Sequence, residues 1–245
     1  MPSRSGPLAA VGFLTAIPVS TSVPAQGSAM ASFFPLVGAG IGGAAGTTAW
    51  IAAHALPPLA AAGIALAAGA LLTGAIHLDA LADSADALAG STPGERLAIA
   101  RDHHLGAYGA LALVVDQLLK AAALASLASD ARVIWASVCA GALSRTTAVA
   151  AMRLARPGRP DGLGAQVAGD ATTTRAVFAL VSAMAIVLIG AGPGDGAALA
   201  LAAAVPSATW CVFSVRRFSG FTGDTIGAGV EVAEAATLLV AAAIV

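Results

Sequence analysis

Seven long apolar runs follow one another along the chain, separated by shorter polar or glycine- and proline-containing segments. A membrane-spanning helix needs about 20 mostly apolar residues, within a range of roughly 17–25. The runs of this length cover residues 33–55, 59–78, 107–128, 132–152, 175–191, 197–213 and 227–245. They are continuous rather than alternating, so they do not fit the strands of a lipid-facing β-barrel. The pattern predicts an all-α, polytopic integral membrane helix bundle with about seven transmembrane helices.

The composition supports this prediction. Of the 245 residues, 58% are hydrophobic and only 10% are charged, with a mean hydropathy of +0.86. Soluble domains average roughly 45–50% apolar and about 25% charged residues. The charged residues are too few to cover a soluble domain of this length. The net charge of −1 gives no indication of a nucleic-acid partner.

We treat residues 1–245 as a single membrane-embedded domain. Residues 1–30 are too short and too broken for a span, and we expect them to form an interfacial segment. We expect the three long connections, at about 80–106, 153–174 and 214–226, to form active-site loops. Cys139 and Cys211 lie inside apolar runs and are interpreted as small core residues.

The arginines predict the orientation. With seven crossings, the N-terminus and the loops after the second, fourth and sixth spans share one face. Nine arginines fall on that face, against Arg132 alone in the opposite loops: Arg4, Arg96, Arg101, Arg153, Arg156, Arg159, Arg175, Arg216 and Arg217. The positive-inside rule makes the nine-arginine face cytoplasmic. Ten of the 13 acidic residues lie at or near the same face, so we expect the chemistry there.

Three aspartates follow the second apolar run. Asp79, Asp83 and Asp86 are spaced i, i+4 and i+7, which places them on one face of a helix. Like charges at this spacing repel. A divalent cation would offset the repulsion, and Mg²⁺ prefers carboxylate oxygens together with substrate phosphates. The structural alternative is a solvated polar helix face.

A second acidic group opens the last apolar run. Asp224 and Glu231 are seven residues apart, and Glu234 follows on much the same helical face as Glu231. These carboxylates are candidates for further metal ligands or for a general base. The structural alternative is that Asp224 caps the helix, with the glutamates near a favourable dipole end.

Cationic residues accompany the acids. Arg101 precedes the third span, and Arg145 lies about two turns inside the fourth. Arginine binds phosphate through paired donors, so both are candidate phosphate ligands. His103 and His104 are interpreted as polar surface rather than metal ligands. Asp116 and Lys120, at i and i+4 within a span, are either a mutually neutralising pair or the floor of a polar site.

Carboxylates that bind Mg²⁺ and arginines that bind phosphate are typical of enzymes that catalyse phosphoryl transfer. The chain contains no G-x-x-x-x-G-K-[ST] loop, which excludes a P-loop enzyme. It also lacks the H-E-x-x-H and G-x-S-x-G patterns of zinc proteases and serine hydrolases.

Six motifs, spread over nearly the whole chain, resemble the adenosylcobinamide-GDP ribazoletransferase (cobamide synthase) family. They are FLTAIP at 13–18, FPLVG at 34–38, TGAIHLDALADSAD at 73–86, RDHHLGAYG at 101–109, RPGRPDGLG at 156–164 and TGDTIGA at 222–228. The family commonly has glycine where this chain has Ala80. The resemblance implies an enzyme of the bacterial cytoplasmic (inner) membrane that joins adenosylcobinamide-GDP to α-ribazole or its 5′-phosphate and releases GMP, with Mg²⁺ as cofactor.

By this resemblance, the metal ligands are Asp79, Asp83 and Asp86. We expect Asp224, Glu231 and Arg101 to be catalytic. The residues expected to bind substrate are Arg101, Asp102, Arg145, Arg156 and Asp161.

Other readings of the same residues stay open. A CDP-alcohol phosphotransferase or a UbiA-like prenyltransferase also uses membrane aspartates and Mg²⁺, but the D-G-x-x-A-R block of the former is absent and the second acidic site is sparse for the latter. A transporter would spread its acids across the membrane, whereas here most crowd one face. The sequence leaves a homo-oligomer open.

Overall fold

The computed structural model describes residues 6–19, 27–102, 104–158 and 167–244. Within these ranges the regular secondary structure is helical, and the β-pairing consists of one isolated bridge between Pro157 and Phe221. We number the helices α1 Gly6–Leu14, α2 Phe34–Ala52, α3 Pro58–Thr73, α4 Ile76–Ala87, α5 Pro93–Ile99, α6 Ala107–Leu127, α7 Arg132–Leu154, α8 Thr173–Phe218 and α9 Gly223–Ile244. A short 3₁₀ helix, Met30–Phe33, leads into α2. The predicted all-α class is confirmed.

Five of the described helices are long and apolar enough to cross a membrane: α2 together with the 3₁₀ turn, α6, α7, α8 and α9. A sixth span results if the bent pair α3–α4 is counted as one. These helices agree with a polytopic membrane bundle.

Helix α8 contains a break that divides it into two parts. Its 46 residues would extend about 69 Å at 1.5 Å per residue, roughly twice the hydrocarbon core of a bilayer. Gly192 has φ 74° and ψ −179°, which is not helical. A Cβ added to Gly196 would lie 2.9 Å from Val187 Cγ1, so the chain after the break folds back on the helix before it. The two parts correspond to the runs predicted at 175–191 and 197–213.

The second predicted span, at 59–78, is not one straight helix. Helix α3 ends at Thr73 and α4 begins at Ile76, with an angle of 92° between them. Gly74 and Ala75 both adopt left-handed conformations (φ 62° and 57°), which end a right-handed helix. Because of the bend, α4, the helix that carries the three aspartates, packs against α6 and α9.

Helices α2 and α7 pack at very short range through glycines. Gly38, Gly42 and Gly46 form one stripe on α2, and an added Cβ at Gly38 or Gly42 would overlap a backbone carbonyl of α7. Small residues at such spacing let membrane helices approach closely. This pair holds α7 in place, and with it Arg145.

Replacing Gly42 with alanine is therefore expected to destabilise the protein by about 1–3 kcal/mol, since overpacking a tight interface forces the backbone apart. The matched control is Gly40→Ala on the same helix, where an added Cβ meets no atom within 4 Å. Thermal unfolding in detergent measures both variants. Equal transition temperatures for Gly42→Ala and Gly40→Ala would contradict the close packing.

The segment before α2 is tied into the bundle. Ala10 and Leu14 of α1 are buried in a core cluster that also contains Phe34 and Val149. The fully buried Asp170 accepts hydrogen bonds from the backbone N–H groups of Gly27, Ala29 and Ala31 (3.0–3.2 Å). It also pairs with Arg175. The N-terminal region predicted as interfacial therefore packs on the main helices where it is described.

The two cysteines are both free thiols. Cys139 is buried on α7, and Cys211 is partly buried in the second part of α8. Their positions agree with the interpretation as small core residues.

Candidate active site

The aspartates of α4 do not share one environment. Asp79 is exposed, whereas Asp83 and Asp86 are half-buried. Asp79 and Asp86 are seven residues apart, which corresponds to about 10.5 Å along the helix axis. One ion therefore cannot be bound by both of these side chains at once. In the described ranges no group of three or more His, Cys, Asp or Glu side chains is placed to hold a metal ion.

Asp86 binds the N-terminus of α6. The backbone N–H of Gly106 donates to one of its carboxylate oxygens at 2.7 Å, and that of Gly109 donates to the other at 2.8 Å. These N–H groups have no partner within α6, and the helix dipole favours an anion there. An added Cβ on either glycine would overlap the carboxylate, so the glycines are what allow Asp86 this close.

A cavity of about 210 Å³, here called the outer cavity, brings three predicted site residues together. Asp79 of α4, Arg145 of α7 and Asp224 of α9 all line it, and His77 of α4 does so as well. The remaining wall is largely apolar and includes Phe13, from before the first span. The bend between α3 and α4 is what places Asp79 beside α7 and α9.

The start of α9 is capped by threonines rather than by Asp224. The Thr222 hydroxyl accepts from the Thr225 N–H (3.1 Å), and the Thr225 hydroxyl accepts from the Thr222 N–H (2.8 Å). Asp224 lies in the first turn, half-buried, with its side chain at the outer cavity. The capping role proposed for Asp224 from the sequence is thus filled by Thr222.

Ala80, which replaces the glycine common in the family, packs against α9. It is buried, and a Cβ added to Gly227 would lie 2.5 Å from the Ala80 Cβ. Gly227 thus gives the methyl group of Ala80 the room that it needs between the two helices.

Arg156 lies close to the same end of α9. Its carbonyl oxygen accepts from the Phe221 N–H (2.9 Å), and the Gly158 N–H donates to the Phe221 carbonyl (2.8 Å). These hydrogen bonds hold the segment after α7 against Phe221, which precedes Asp224 by three positions in the sequence. The side chain of Arg156 is exposed. Asp161, predicted to bind substrate, lies outside the described residues.

Next to the outer cavity, a cluster of buried charges joins α6, α7 and α9. Lys120 pairs with Glu231, lies 3.2 Å from Asp116 and 3.8 Å from Glu234, and is 2% exposed. Arg145 pairs with Glu234. We call these five residues, Asp116, Lys120, Arg145, Glu231 and Glu234, the inner ion cluster. Glu231 therefore faces Lys120 and a smaller inner cavity of about 60 Å³, while Arg145 lines both cavities.

Arg101 and Asp102 lie in the exposed turn between α5 and α6. Asp102 contacts the Nδ1 of His104 at 2.5 Å, and this hydrogen bond raises the pKa of His104 above its ordinary value. Neither Arg101 nor Asp102 lines the outer cavity. His103 lies outside the described residues.

Sequence reasoning assigned no role to His77, and it indicated Glu234 only as a candidate metal ligand or base, not as the partner of Arg145. The signal for Glu234 was present, because a buried Lys120 and a buried Arg145 both require anionic partners. His77 directly precedes the aspartate block, but its burial depends on how α4 packs against α9.

Comparisons with known proteins identify the family to which this chain is similar. A family model described as cobalamin-5-phosphate synthase matches residues 6–242. A protein of Leptothrix cholodnii is 37% identical over 243 residues, covering 94% of this chain and 92% of the relative. A protein of Bradyrhizobium diazoefficiens is 36% identical over 239 residues, covering 96% and 92%. Both are named adenosylcobinamide-GDP ribazoletransferase. No solved structure gives a significant match.

Proposed function

This chain belongs to the cobalamin-5-phosphate synthase family and is a transferase with cobamide synthase function. On this basis we propose the following reaction. The enzyme transfers the adenosylcobinamide-phosphate group of adenosylcobinamide-GDP to α-ribazole or its 5′-phosphate and releases GMP. The observation that carries this proposal is the meeting of Asp79, Arg145 and Asp224, from three separate helices, at one cavity.

Mg²⁺ is the cofactor that this set of oxygen ligands fits. Mg²⁺ is usually bound by one or two carboxylates together with substrate phosphates. Asp79 and the half-buried Asp83, one turn later, would supply those carboxylates, and Asp86 would remain at the N-terminus of α6, where both of its oxygens accept hydrogen bonds. When bound, the ion would neutralise charge that develops on the pyrophosphate.

The reaction forms a bond between a ribose hydroxyl oxygen and the phosphorus attached to cobinamide. The bond from that phosphorus to the bridging oxygen breaks, and GMP leaves with this oxygen. Asp224, which lines the same cavity from α9, takes the hydroxyl proton. Arg145 holds the phosphate oxygens and is itself positioned by Glu234.

The other predicted site residues act around this centre. Glu231 is a positioning residue, because it contacts Lys120 in the inner ion cluster and lines the inner cavity rather than the outer one. Arg101 and Arg156 are exposed, and we assign them to the phosphates or the tail of the substrate outside the cavity. The excess of arginines on one side supports a cytoplasmic active site in the inner membrane.

Purified protein in detergent should be incubated with adenosylcobinamide-GDP and α-ribazole, with and without Mg²⁺. Mass spectrometry of the corrinoid product and chromatography of GMP then follow the reaction. We expect equal amounts of product and GMP, and neither when the acceptor or Mg²⁺ is omitted. GMP release that does not depend on the acceptor would contradict a transfer to ribazole.

A further inference from the structure

The outer cavity has two unlike halves. Asp79, His77, Arg145 and Asp224 form a polar half, which the proposed phosphoryl transfer uses. The other half is apolar and includes Phe13, Phe34, Met152, Ile226 and Val230. The rings of Phe13 and Phe34 stack with centroids 5.6 Å apart and an interplanar angle of 14°. Phosphate chemistry needs no such apolar, aromatic wall.

The size of the cavity restricts what it can bind. Its volume of about 210 Å³ is below the roughly 300–1,000 Å³ of sites for drug-sized ligands. A corrin macrocycle does not fit, whereas a flat base of two fused rings does. The guanine of the donor is also a fused-ring base, but its amide and amino edges need hydrogen-bonding partners. An apolar wall cannot supply them, so it favours a base with few polar atoms.

Among the described residues that line the outer cavity, two buried polar atoms lack a hydrogen-bond partner, His77 Nδ1 and Arg145 Nε. The side chain of His77 is 8% exposed, and its Nδ1 is buried with no hydrogen bond to any residue in the described part of the chain. Buried polar atoms of this kind are rare in native proteins and call for an explanation. His77 also lines the outer cavity, and a neutral imidazole can donate from one ring nitrogen to a ring nitrogen of a bound base.

We propose that the outer cavity is the acceptor subsite, and that its apolar half binds the dimethylbenzimidazole base of α-ribazole. This inference rests on the proposed function. The methylated ring packs on Phe13 and Phe34, and the ring nitrogen that is not bonded to ribose accepts a hydrogen bond from His77. The ribose then lies at the polar half, where its hydroxyl meets Asp224, while the corrinoid and the guanosine remain outside the cavity.

The test fills the cavity with one substitution. Ala148 is buried on α7 and lines the outer cavity, so Ala148→Leu places a larger side chain where the base would lie. The matched control is Ala150→Leu, at an exposed position on the same helix that lines no part of the outer cavity. Steady-state kinetics of GMP release give a separate KM for each substrate.

We expect Ala148→Leu, which adds three carbon atoms to the apolar half, to raise the KM for α-ribazole by at least about 10-fold, since a single misfitting methylene in an apolar pocket costs roughly 10–200-fold. The KM for adenosylcobinamide-GDP should change by less than about twofold, as should both values for Ala150→Leu. The riboside of unmethylated benzimidazole, which is smaller, should show a lesser rise than α-ribazole. An increase in the KM for adenosylcobinamide-GDP instead, or an unchanged KM for α-ribazole, would overturn the assignment.

A second variant covers the case in which Ala148→Leu does not fold. Phe13→Leu keeps an apolar side chain at a partly exposed position but removes the stacked ring, and it should likewise raise the KM for α-ribazole alone. If the unsubstituted protein forms no product, the proposed function fails, and equilibrium dialysis of α-ribazole still tests the subsite. Binding that is equal in Phe13→Leu and in the unsubstituted protein would then refute it.

Discussion

Asp79→Asn should lower the rate of GMP release by roughly 10³-fold while leaving the unfolding temperature unchanged. The expected size follows from losing several kcal/mol of metal-dependent charge stabilisation, at about 1.4 kcal/mol for each tenfold change. Asparagine keeps the shape of the side chain but removes its charge. Because Asp79 is exposed and lines the outer cavity, the fold does not depend on it.

Asp86→Asn provides the contrast on the same helix. An amide has one oxygen to accept hydrogen bonds, so it cannot accept from Gly106 and Gly109 as the two carboxylate oxygens do. We expect a loss of about 1–2 kcal/mol in stability, as for other helix caps, with much of the activity retained. Asp195→Asn, exposed in the turn that divides α8, serves as the neutral control. If Asp86→Asn abolished GMP release at unchanged stability, Asp86 would belong to the metal site.

The membrane-spanning helices were predictable because hydropathy is a local property. Helices α6 and α7 begin at the predicted residues, Ala107 and Arg132. The bend between α3 and α4 was not predictable in the same way. Gly74 is a local signal of a helix end, but glycines also occur inside the other apolar runs, and Ala75 adopts a left-handed conformation that alanine rarely takes, so the sequence did not distinguish this break from a continuous span.

The candidate site was only partly predictable for a related reason. Helical periodicity correctly placed Asp79, Asp83 and Asp86 on one helix, α4. Which of them meets the cavity depends on neighbours that are distant in sequence. Asp86 binds N–H groups 20 and 23 residues later, and Lys120 meets Glu231 across 111 residues. The spacing of acids therefore identified the helix but did not separate a cavity ligand from a helix cap.

The charged side chains of the inner ion cluster can lie inside the bundle because they pair with one another. Lys120 lies within pairing distance of Asp116, Glu231 and Glu234, and Arg145 pairs with Glu234. Charges at this depth are costly unless they are paired. The cluster also fixes α6, α7 and α9 relative to one another, and Arg145 extends from it to the outer cavity.

Lys120→Met should accordingly be strongly destabilising, by about 3–5 kcal/mol, because it leaves buried carboxylates without their cation. Leu118→Met, at an exposed position on the same helix, should have little effect. Thermal and denaturant unfolding in detergent compare the variants. A stability of Lys120→Met equal to that of Leu118→Met would show that the cluster contributes nothing.

The double variant Lys120→Met, Glu231→Gln removes the cation together with its nearest carboxylate charge. We expect it to recover more than half of the stability lost in Lys120→Met, since an unpaired buried charge costs more than a neutral pair. Because Glu231 faces Lys120 and not the outer cavity, the double variant should also regain GMP release. A double variant that is stable but inactive would instead place Glu231 among the catalytic residues, where its i+7 spacing from Asp224 first suggested it.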